Sequence, residues 1–501
     1  DDEEEEECGL YMAQSSIPNS GLGMYSNTNI TEGSTLFYDD IVIAGYDLYV
    51  NRKLHRLKYG VDLEDDDDDD SGQPAWVMDS YAWSGEYSNG NYDADYTEAI
   101  IPGTGMLANS FLGLVNALKR RAETDDAGLS RRTGSPGAGA FSHHHGNRFV
   151  AGDSIVEGQE IFIDYGRSWF EYREEIMGPI PFDEEYDMAD MLLRKFFELE
   201  RANVDDDDDD DDGTSLSPDV LGGLWELIRE DLLGDRVRLH MALPRNLEGA
   251  RQAHQTGSAA HSVPGMMRTP QWLRENGACL DNIRPGLSNI PHAGRGAFAT
   301  RRLKEGRIVT SAPMMHMHRD SLRMYRRDES GTGGGNGDKG ESIRYTGDQL
   351  LLNYCYGHPN SSVLLFPYAP AVNFVNGAPE GTQPNAFLRW SDMSYHRSEW
   401  LDMSAGEVLT KDHTGLILEF VASRDIQEGE EILIDYGDGW RDEWDRHSEG
   451  WNVSDDDRNY VSASVLNDMD APVLTAREQK DEPYPSNVMT ACLVPEDYEQ
   501  G

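Results

Sequence analysis

The sequence Gln427-Glu-Gly-Glu-Glu-Ile-Leu-Ile-Asp-Tyr-Gly437, followed by Trp440, has a near copy elsewhere in the same chain. The copy, Val156-Glu-Gly-Gln-Glu-Ile-Phe-Ile-Asp-Tyr-Gly166 followed by Trp169, lies 271 residues earlier. A self-match this specific predicts a duplicated domain of about 145 residues, close to the commonest domain size.

A second repeated pattern precedes each copy of the first. Gly21-Leu-Gly-Met-Tyr25 and Gly294-Arg-Gly-Ala-Phe298 are each followed by a Glu-Gly pair, which ends at Gly33 and Gly306 respectively. The distance from the first to the last glycine is 12 positions in both cases. Two patterns in the same order extend the predicted repeat over most of each unit.

The composition is strongly acidic. The 501 residues include 43 basic and 92 acidic side chains, for a net charge of -49, and 38% of the residues are apolar. Acidic runs at residues 1–7, 64–70 and 205–212 are interpreted as solvated loops. Because such a field repels phosphate, we expect no direct binding to nucleic acid and an attraction to basic proteins or peptides.

The four cysteines are Cys8, Cys279, Cys355 and Cys492. None has the spacing of a structural zinc site, so we predict no metal. Cys8 and Cys279 precede their glycine pairs by similar distances and are predicted to be equivalent across the repeat, with their oxidation state left open. We interpret His143-His144-His145 as part of a solvated loop.

No apolar run reaches the length of a membrane helix and no signal segment opens the chain, which predicts a soluble protein. The chain begins with Asp1 and not with Met, which leaves room for a preceding segment. Nuclear, cytoplasmic and secretory compartments all stay open, as does the oligomeric state.

The predicted organisation has four parts. Residues 8–170 and 276–447 are the two repeated domains, 171–275 a connector that is partly helical and partly disordered, and 448–501 a C-terminal extension. Alternating apolar residues at 160–164 and 431–435 predict short strands, whereas the spacing at 188–200 and 220–233 predicts helices. The fold class is therefore expected to be mainly β, with an α+β character.

The repeated elements resemble the SET domain family of protein lysine methyltransferases. In the second copy the matching pieces are Gly294-Arg-Gly296, Asn373-Phe-Val-Asn376-Gly377, Pro384-Asn-Ala386 and residues 429–437. In the first copy they are Gly21-Leu-Gly23, Leu107-Ala-Asn109-Ser110, Asn116-Ala117 and residues 158–166. The resemblance implies two tandem SET-like β-folds.

The resemblance also implies a methyl donor, S-adenosylmethionine, and a set of site residues. The donor would be held by Gly294, Arg295, Gly296, Asn376 and Gly377, and in the first copy by Gly21, Gly23 and Asn109. Tyr436 and Tyr165 would stand at the point of methyl transfer, without acting as formal bases. Tyr354 and Tyr368 are proposed to line a lysine channel in the second copy, with packing in the core as the alternative for both.

Departures from the family pattern favour the second copy. The family usually has histidine after the nucleotide-binding asparagine, where this chain has Gly377 and Ser110. The first copy also lacks the proline before Asn116 and is interpreted as degenerate. The functional prediction is a protein-lysine methyltransferase, with a non-catalytic scaffold for basic peptides as the alternative and a small-molecule methyltransferase disfavoured.

Overall fold

The computed structural model describes residues 8–46, 80–84, 97–121, 147–202, 217–233, 235–291, 293–328, 342–450, 477 and 480. The three acidic runs and His143-His144-His145 lie outside the described residues. Most of the predicted C-terminal extension lies outside them too.

Short antiparallel strands make up the first half of the chain. They are β1 Leu10–Gln14, β2 Leu22–Ser26, β3 Ile43–Tyr46, β4 Ala82–Ser84, β5 Thr97–Ile100, β6 Ala117–Arg121, β7 Asn147–Ala151 and β8 Glu160–Ile161, with one helical turn, α1 Thr104–Leu107. β1 and β2 form a hairpin in which the fully buried Met12 and Met24 face each other. β8 pairs with the other edge of β2, Ile161 opposite Met24, so the repeated motif lies beside the glycine pair.

Helices form the middle of the chain. They are α2 Arg167–Tyr172, α3 Glu174–Met177, α4 Asp183–Ala202, α5 Pro218–Glu226, α6 Val237–Ala242, α7 Leu247–Thr256, α8 Ser258–Ser262 and α9 Pro270–Asn276, and a π-helical turn, Leu227–Leu232, continues α5. The first turn of α4 is acidic, which suits the helix dipole, and its buried Tyr186, Ala189, Leu193 and Phe196 recur at helical spacing. Trp225 of α5 packs edge-to-face on Phe196 with ring centroids 5.3 Å apart. Helices thus occupy both segments where the sequence predicts helical spacing.

The second half is again built of strands. They are β9 Ala278–Cys279, β10 Ile283–Leu287, β11 Arg295–Ala299, β12 Ile308–His318, β13 Arg323–Asp328, β14 Ser342–Asp348, β15 Tyr356–Gly357, β16 Val363–Pro367, β17 Asn376–Gly377, β18 Ala386–Trp390, β19 Leu416–Ala422 and β20 Leu433–Ile434, with the helices α10 Ala405–Leu409 and α11 Asp438–Gly450. The largest sheet is antiparallel in the order β15-β16-β12-β19-β18. β17 pairs in parallel with β20, Asn376 opposite Leu433, which places the asparagine segment beside the end of the repeated motif.

A strand pairing and a disulfide join the two halves. β9 adds to the sheet of the first half, with Tyr11 opposite Cys279 and Met12 opposite Ala278. The Cys8–Cys279 disulfide lies at the same edge, between residues 271 positions apart.

The two bonded cysteines are not equivalent positions. Leu10 forms the first residue pair between β1 and β2, and Ile283 forms the first residue pair between β10 and β11. Leu10 and Ile283 are therefore equivalent, and the residue two positions before Ile283, which corresponds to Cys8, is Asp281. The predicted equivalence of Cys8 and Cys279 is wrong, because Cys279 belongs to a strand that pairs with the first half.

The result is a mixed α/β fold with many antiparallel sheets. Helices account for about as much of the described chain as strands do, which is more helix than the mainly β prediction allowed. Within the described ranges, no helix combines the length and apolar content needed to cross a membrane.

Candidate active site

A buried glutamate organises the site in the second half. Glu431 is 7% exposed and stands at the start of the Glu-Ile-Leu-Ile-Asp segment. Its carboxylate accepts hydrogen bonds from Ser288 Oγ (2.6 Å), the Asn289 amide (2.9 Å) and Asn376 Nδ2 (3.1 Å). Because these donors come from separate segments, one charged group ties them together and has its own burial compensated.

The glycine pair is shaped by the same carboxylate. Gly294 has φ +73°, a left-handed conformation that favours glycine. A Cβ at Gly296 would lie 2.4 Å from Glu431 Oε1, so the second glycine makes room for the carboxylate. This internal packing explains Gly296 before any bound donor is considered.

Asn376 holds the glycine loop directly. Its Nδ2 donates to the Arg295 carbonyl at 2.7 Å, in addition to its contact with Glu431. The Arg295 guanidinium lies 5.3 Å from the centre of the Phe374 ring. Burial raises the pKa of Tyr354, and the nearby Arg295 charge partly offsets that rise. The predicted donor-binding residues of this half therefore meet at one place.

Tyr436 ends the repeated motif in the midst of these residues. Its hydroxyl donates to the Val375 carbonyl at 2.6 Å. A Cβ at Gly377 would lie 2.7 Å from the Tyr436 ring, so the ring fills the space that a side chain at position 377 would need. Burial, with Tyr354 nearby, raises the pKa of Tyr436, which keeps the phenol neutral.

The two tyrosines predicted to line a channel lie in different places. Burial raises the pKa of Tyr354 to about 12, and Tyr354 lies close enough to Tyr436 to contribute to the raised pKa of Tyr436. Tyr368 instead contacts Thr414 Oγ1 at 2.7 Å and the Tyr81 hydroxyl at 3.2 Å, and Tyr81 belongs to the first half. Tyr368 is buried in the apolar core at the contact between the halves, which is the core-packing alternative given for it above.

The first half repeats several of these contacts. Glu160 is fully buried and accepts from Ser15 Oγ (2.7 Å) and the Ser16 amide (2.8 Å). A Cβ at Gly23 would lie 2.3 Å from its Oε1. Asn109 Nδ2 donates to the Leu22 carbonyl at 2.9 Å, as Asn376 does to Arg295.

The terminal tyrosine of the first half is held in the same way. The Tyr165 hydroxyl donates to the Ala108 carbonyl at 2.8 Å, and burial raises its pKa. The Tyr165 amide donates a long hydrogen bond, 3.4 Å, to Ser110 Oγ. Gly21 has φ +70° and faces open space.

A cavity of about 600 Å³ opens beside Tyr165. Its lining includes Tyr81, Trp83, Met106, Lys119 and Trp169, but not Gly21, Gly23 or Asn109. Sequence reasoning missed this cavity, because its walls come from segments that are far apart in the chain.

Sequence reasoning also missed Glu431 and Glu160. Both stand in the repeated motif that the prediction used, yet they were given no role. A signal was present: in each copy an acidic residue opens a strand whose isoleucines are buried, a place where a charge needs partners.

One group of side chains has atoms close enough together to hold a metal ion. In the part of the chain that the structure describes, Cys8, Cys279 and Asp281 form the one set of three with metal-ligand spacing. The two sulfurs there are bonded to each other, and Asp281 accepts from the Gly9 amide and pairs with Arg301. Because the three side chains are bound to each other and to their neighbours, they form a structural link.

The hairpin with its glycine pair, the asparagine segment paired with β20 and the terminal tyrosine all lie within one stretch of the chain. Residues 294–437 match the SET domain family, so the chain contains a SET domain over this range. No curated protein matches the chain.

The chain is also similar to solved structures. A candidate histone methyltransferase of Plasmodium falciparum is 17% identical, with a TM-score of 0.20, over 32% of this chain and 97% of its own. The Polycomb Repressive Complex 2 of Chaetomium thermophilum is 18% identical, with a TM-score of 0.19, over 38% of this chain and 18% of its own. KRYPTONITE, solved with mCHH DNA, an H3(1–15) peptide and SAH, is 14% identical, with a TM-score of 0.17, over 31% of this chain and 23% of its own.

Proposed function

We propose that residues 294–437 catalyse methyl transfer from S-adenosylmethionine to a lysine of a basic protein. The observation that carries the proposal is the convergence of the three predicted pieces: the Gly294–Gly296 loop, Asn376 and Tyr436. Asn376 Nδ2 lies 2.7 Å from the Arg295 carbonyl, and the Tyr436 ring lies against Gly377. Members of the SET family are typically protein lysine methyltransferases.

The donor would be held by the main chain at Gly294, Arg295 and Gly296, with Asn376 and Gly377 on the other side. When bound, it supplies a methyl group on a positively charged sulfur. The left-handed Gly294 lets the backbone turn without a side chain in the way, which fits a ligand held by backbone groups. Backbone carbonyl oxygens in this loop suit the positive charge of the donor.

Tyr436 would orient the incoming amine. Because its proton is donated to the Val375 carbonyl, the lone pairs of its oxygen remain to accept a hydrogen bond from a lysine amine. The raised pKa of Tyr436 keeps it from acting as a base at neutral pH. Tyr354 beside it gives the approach an aromatic wall, and desolvation there favours the neutral amine that the reaction needs.

We infer further that the first half is a second SET-like unit, degenerate in its site. Two contacts that recur in both halves support this inference. Glu160 lies against Gly23 as Glu431 lies against Gly296, and the Tyr165 hydroxyl donates to a backbone carbonyl as the Tyr436 hydroxyl does. The helical segment between the units is then the connector. We assign activity to the second unit, since the family match covers residues 294–437.

The test is methyl transfer from labelled S-adenosylmethionine to a mixture of basic proteins. We expect the intact chain to label lysine, and Tyr436→Phe to lower the rate on the order of 100-fold because it removes a group poised at the reacting centre. Tyr165→Phe is the matched control and should label at the rate of the intact chain. Loss of labelling in Tyr165→Phe with retention in Tyr436→Phe would move the activity to the first unit.

A second candidate is a non-catalytic scaffold that binds basic peptides. It is favoured by Asn376, whose amide nitrogen is engaged within the chain, and by Gly377 at the position where the family usually has histidine. The net charge of -49 suits the same partner. Peptide binding by a chain that binds no S-adenosylmethionine would favour the scaffold over the enzyme.

A further inference from the structure

Helix α11, which follows Tyr436 directly, has an unusual surface. None of its residues is buried, although a helix on a globular protein normally buries an apolar stripe. Its aromatic residues form a row instead: Trp440 packs edge-to-face on Tyr436 at 4.9 Å, and Trp444 is parallel to Trp440 at 5.6 Å. Trp440 is 43% exposed. The row therefore offers aromatic surface to solvent beside the proposed site.

Carboxylates surround the aromatic row. The helix contains five acidic residues and two arginines; the acids are Asp438, Asp442, Glu443, Asp445 and Glu449. Both arginines pair with acids close in sequence, Arg441 with Asp435 at 2.9 Å and Arg446 with Glu443 at 2.5 Å. The surface consequently combines aromatic rings with a net negative charge, the combination that attracts lysine and arginine side chains.

The first half contains a cation–π contact between two of its own side chains. Trp169 follows Tyr165 at the same spacing as Trp440 follows Tyr436. The Arg173 guanidinium lies 4.1 Å from the centre of the Trp169 ring, and Trp444 stands at the matching position in the second half. An indole placed after this tyrosine can thus bind a guanidinium.

We infer that α11 is a docking surface for the lysine and arginine side chains of a basic peptide, with Trp440 and Trp444 as its aromatic contacts. The inference rests on the proposed function and deepens it, because it names where the basic substrate is held next to Tyr436. The negative charge of the chain favours a basic partner. A second copy of this chain, which also has a net charge of -49, would be repelled.

The experiment measures binding of a fluorescent peptide of alternating Lys/Arg and Gly/Ser to the full chain, without methyl donor. We expect Trp440→Ala/Trp444→Ala to weaken binding about tenfold, because it removes the rings of the exposed Trp440 and the half-buried Trp444 from cation–π contact. Asp442→Asn/Asp445→Asn should weaken it and reduce its salt dependence. Phe387→Ala, an aromatic residue 47% exposed outside α11, is the control and should bind like the intact chain.

A peptide with glutamine in place of every lysine and arginine should not bind. Equal affinity of the double tryptophan variant and the intact chain would overturn the inference, as would an intact chain that binds neither peptide. Because donor is absent, these outcomes are separate from failure of the proposed function, which a lack of labelling with S-adenosylmethionine would show.

Discussion

The proposed methyl transfer depends on Tyr436, and Tyr165 is its counterpart in the first half. Tyr436 and Tyr165 each donate a hydrogen bond to a backbone carbonyl, and burial raises the pKa of each. Both hydroxyls therefore stay protonated and fixed in direction. Such a group can orient a partner but cannot remove its proton.

The protonated state of Tyr436 predicts how methyl transfer should depend on pH. Since the pKa of Tyr436 is raised above its ordinary value of 10.0, the phenol stays protonated through mildly alkaline pH. The free lysine substrate, with a reference pKa near 10.4, becomes reactive as pH rises. We expect kcat/KM to increase from pH 7 to pH 9 without a downturn, and a fall across that range would contradict the assigned role.

Buried His316 gives a second prediction, on stability. Burial, next to Trp400 and His413, lowers the pKa of His316 to about 4, so the folded protein keeps it neutral while the unfolded chain binds a proton below pH 6.5. The free energy of unfolding should then decrease as pH falls from about 6.5 to 4. In urea titrations, His316→Gln should reduce that pH dependence more than His413→Gln, which removes only a smaller electrostatic contribution to the lowered pKa of His316.

At the scale of elements, a glycine and a glutamate lock each hairpin to its repeated motif. Gly296→Ala would place Cβ 2.4 Å from Glu431 Oε1, so the carboxylate or strand β11 must shift. We expect a loss of about 1–3 kcal/mol in the free energy of unfolding, measured in urea.

A matched glycine controls for the change of residue type. Gly406 lies in α10, and a Cβ there meets nothing within 4 Å, so Gly406→Ala should be neutral or slightly stabilising. If Gly296→Ala were as stable as Gly406→Ala, the carboxylate would not be fixed as described.

Particular residues show what the sequence could and could not predict. The family resemblance assigned Asn376 and the Gly294–Gly296 loop to one donor site, and in the structure Asn376 Nδ2 donates to the Arg295 carbonyl. For Tyr368 the sequence left a channel and the core as alternatives, and its side chain is buried in the core. The sequence did not predict its partner Tyr81, which is 287 positions away. It gave Glu431 no role, since a buried charge is recognised only with its partners. Long-range packing, which the chain order does not encode in any short pattern, accounts for these misses.

At the scale of the whole molecule, the two halves share one apolar core and a covalent link. Buried residues of both halves belong to one continuous cluster, and Tyr81 and Tyr368 pack with ring centroids 5.1 Å apart. The Cys8–Cys279 disulfide closes a loop of 271 positions. The halves are therefore expected to unfold together when the bond is intact.

The disulfide prediction can be tested by reduction. Because the bond limits the unfolded chain, its loss should lower the free energy of unfolding by about 2–4 kcal/mol. Urea titrations with and without reductant measure this, and Cys8→Ser should behave like the reduced chain and respond no further to reductant. Equal stability of the reduced and oxidised chains would contradict a stabilising role for the bond.

We propose that residues 294–437 bind S-adenosylmethionine through the Gly294–Gly296 loop and Asn376. Calorimetric titration of the donor into the intact chain tests it most directly, with Asn376→Ala and its first-half counterpart Asn109→Ala alongside. We expect one binding site, an affinity about tenfold weaker in Asn376→Ala because the loop loses its hydrogen bond, and no change in Asn109→Ala. Absence of binding to the intact chain, or binding lost in Asn109→Ala and kept in Asn376→Ala, would contradict it.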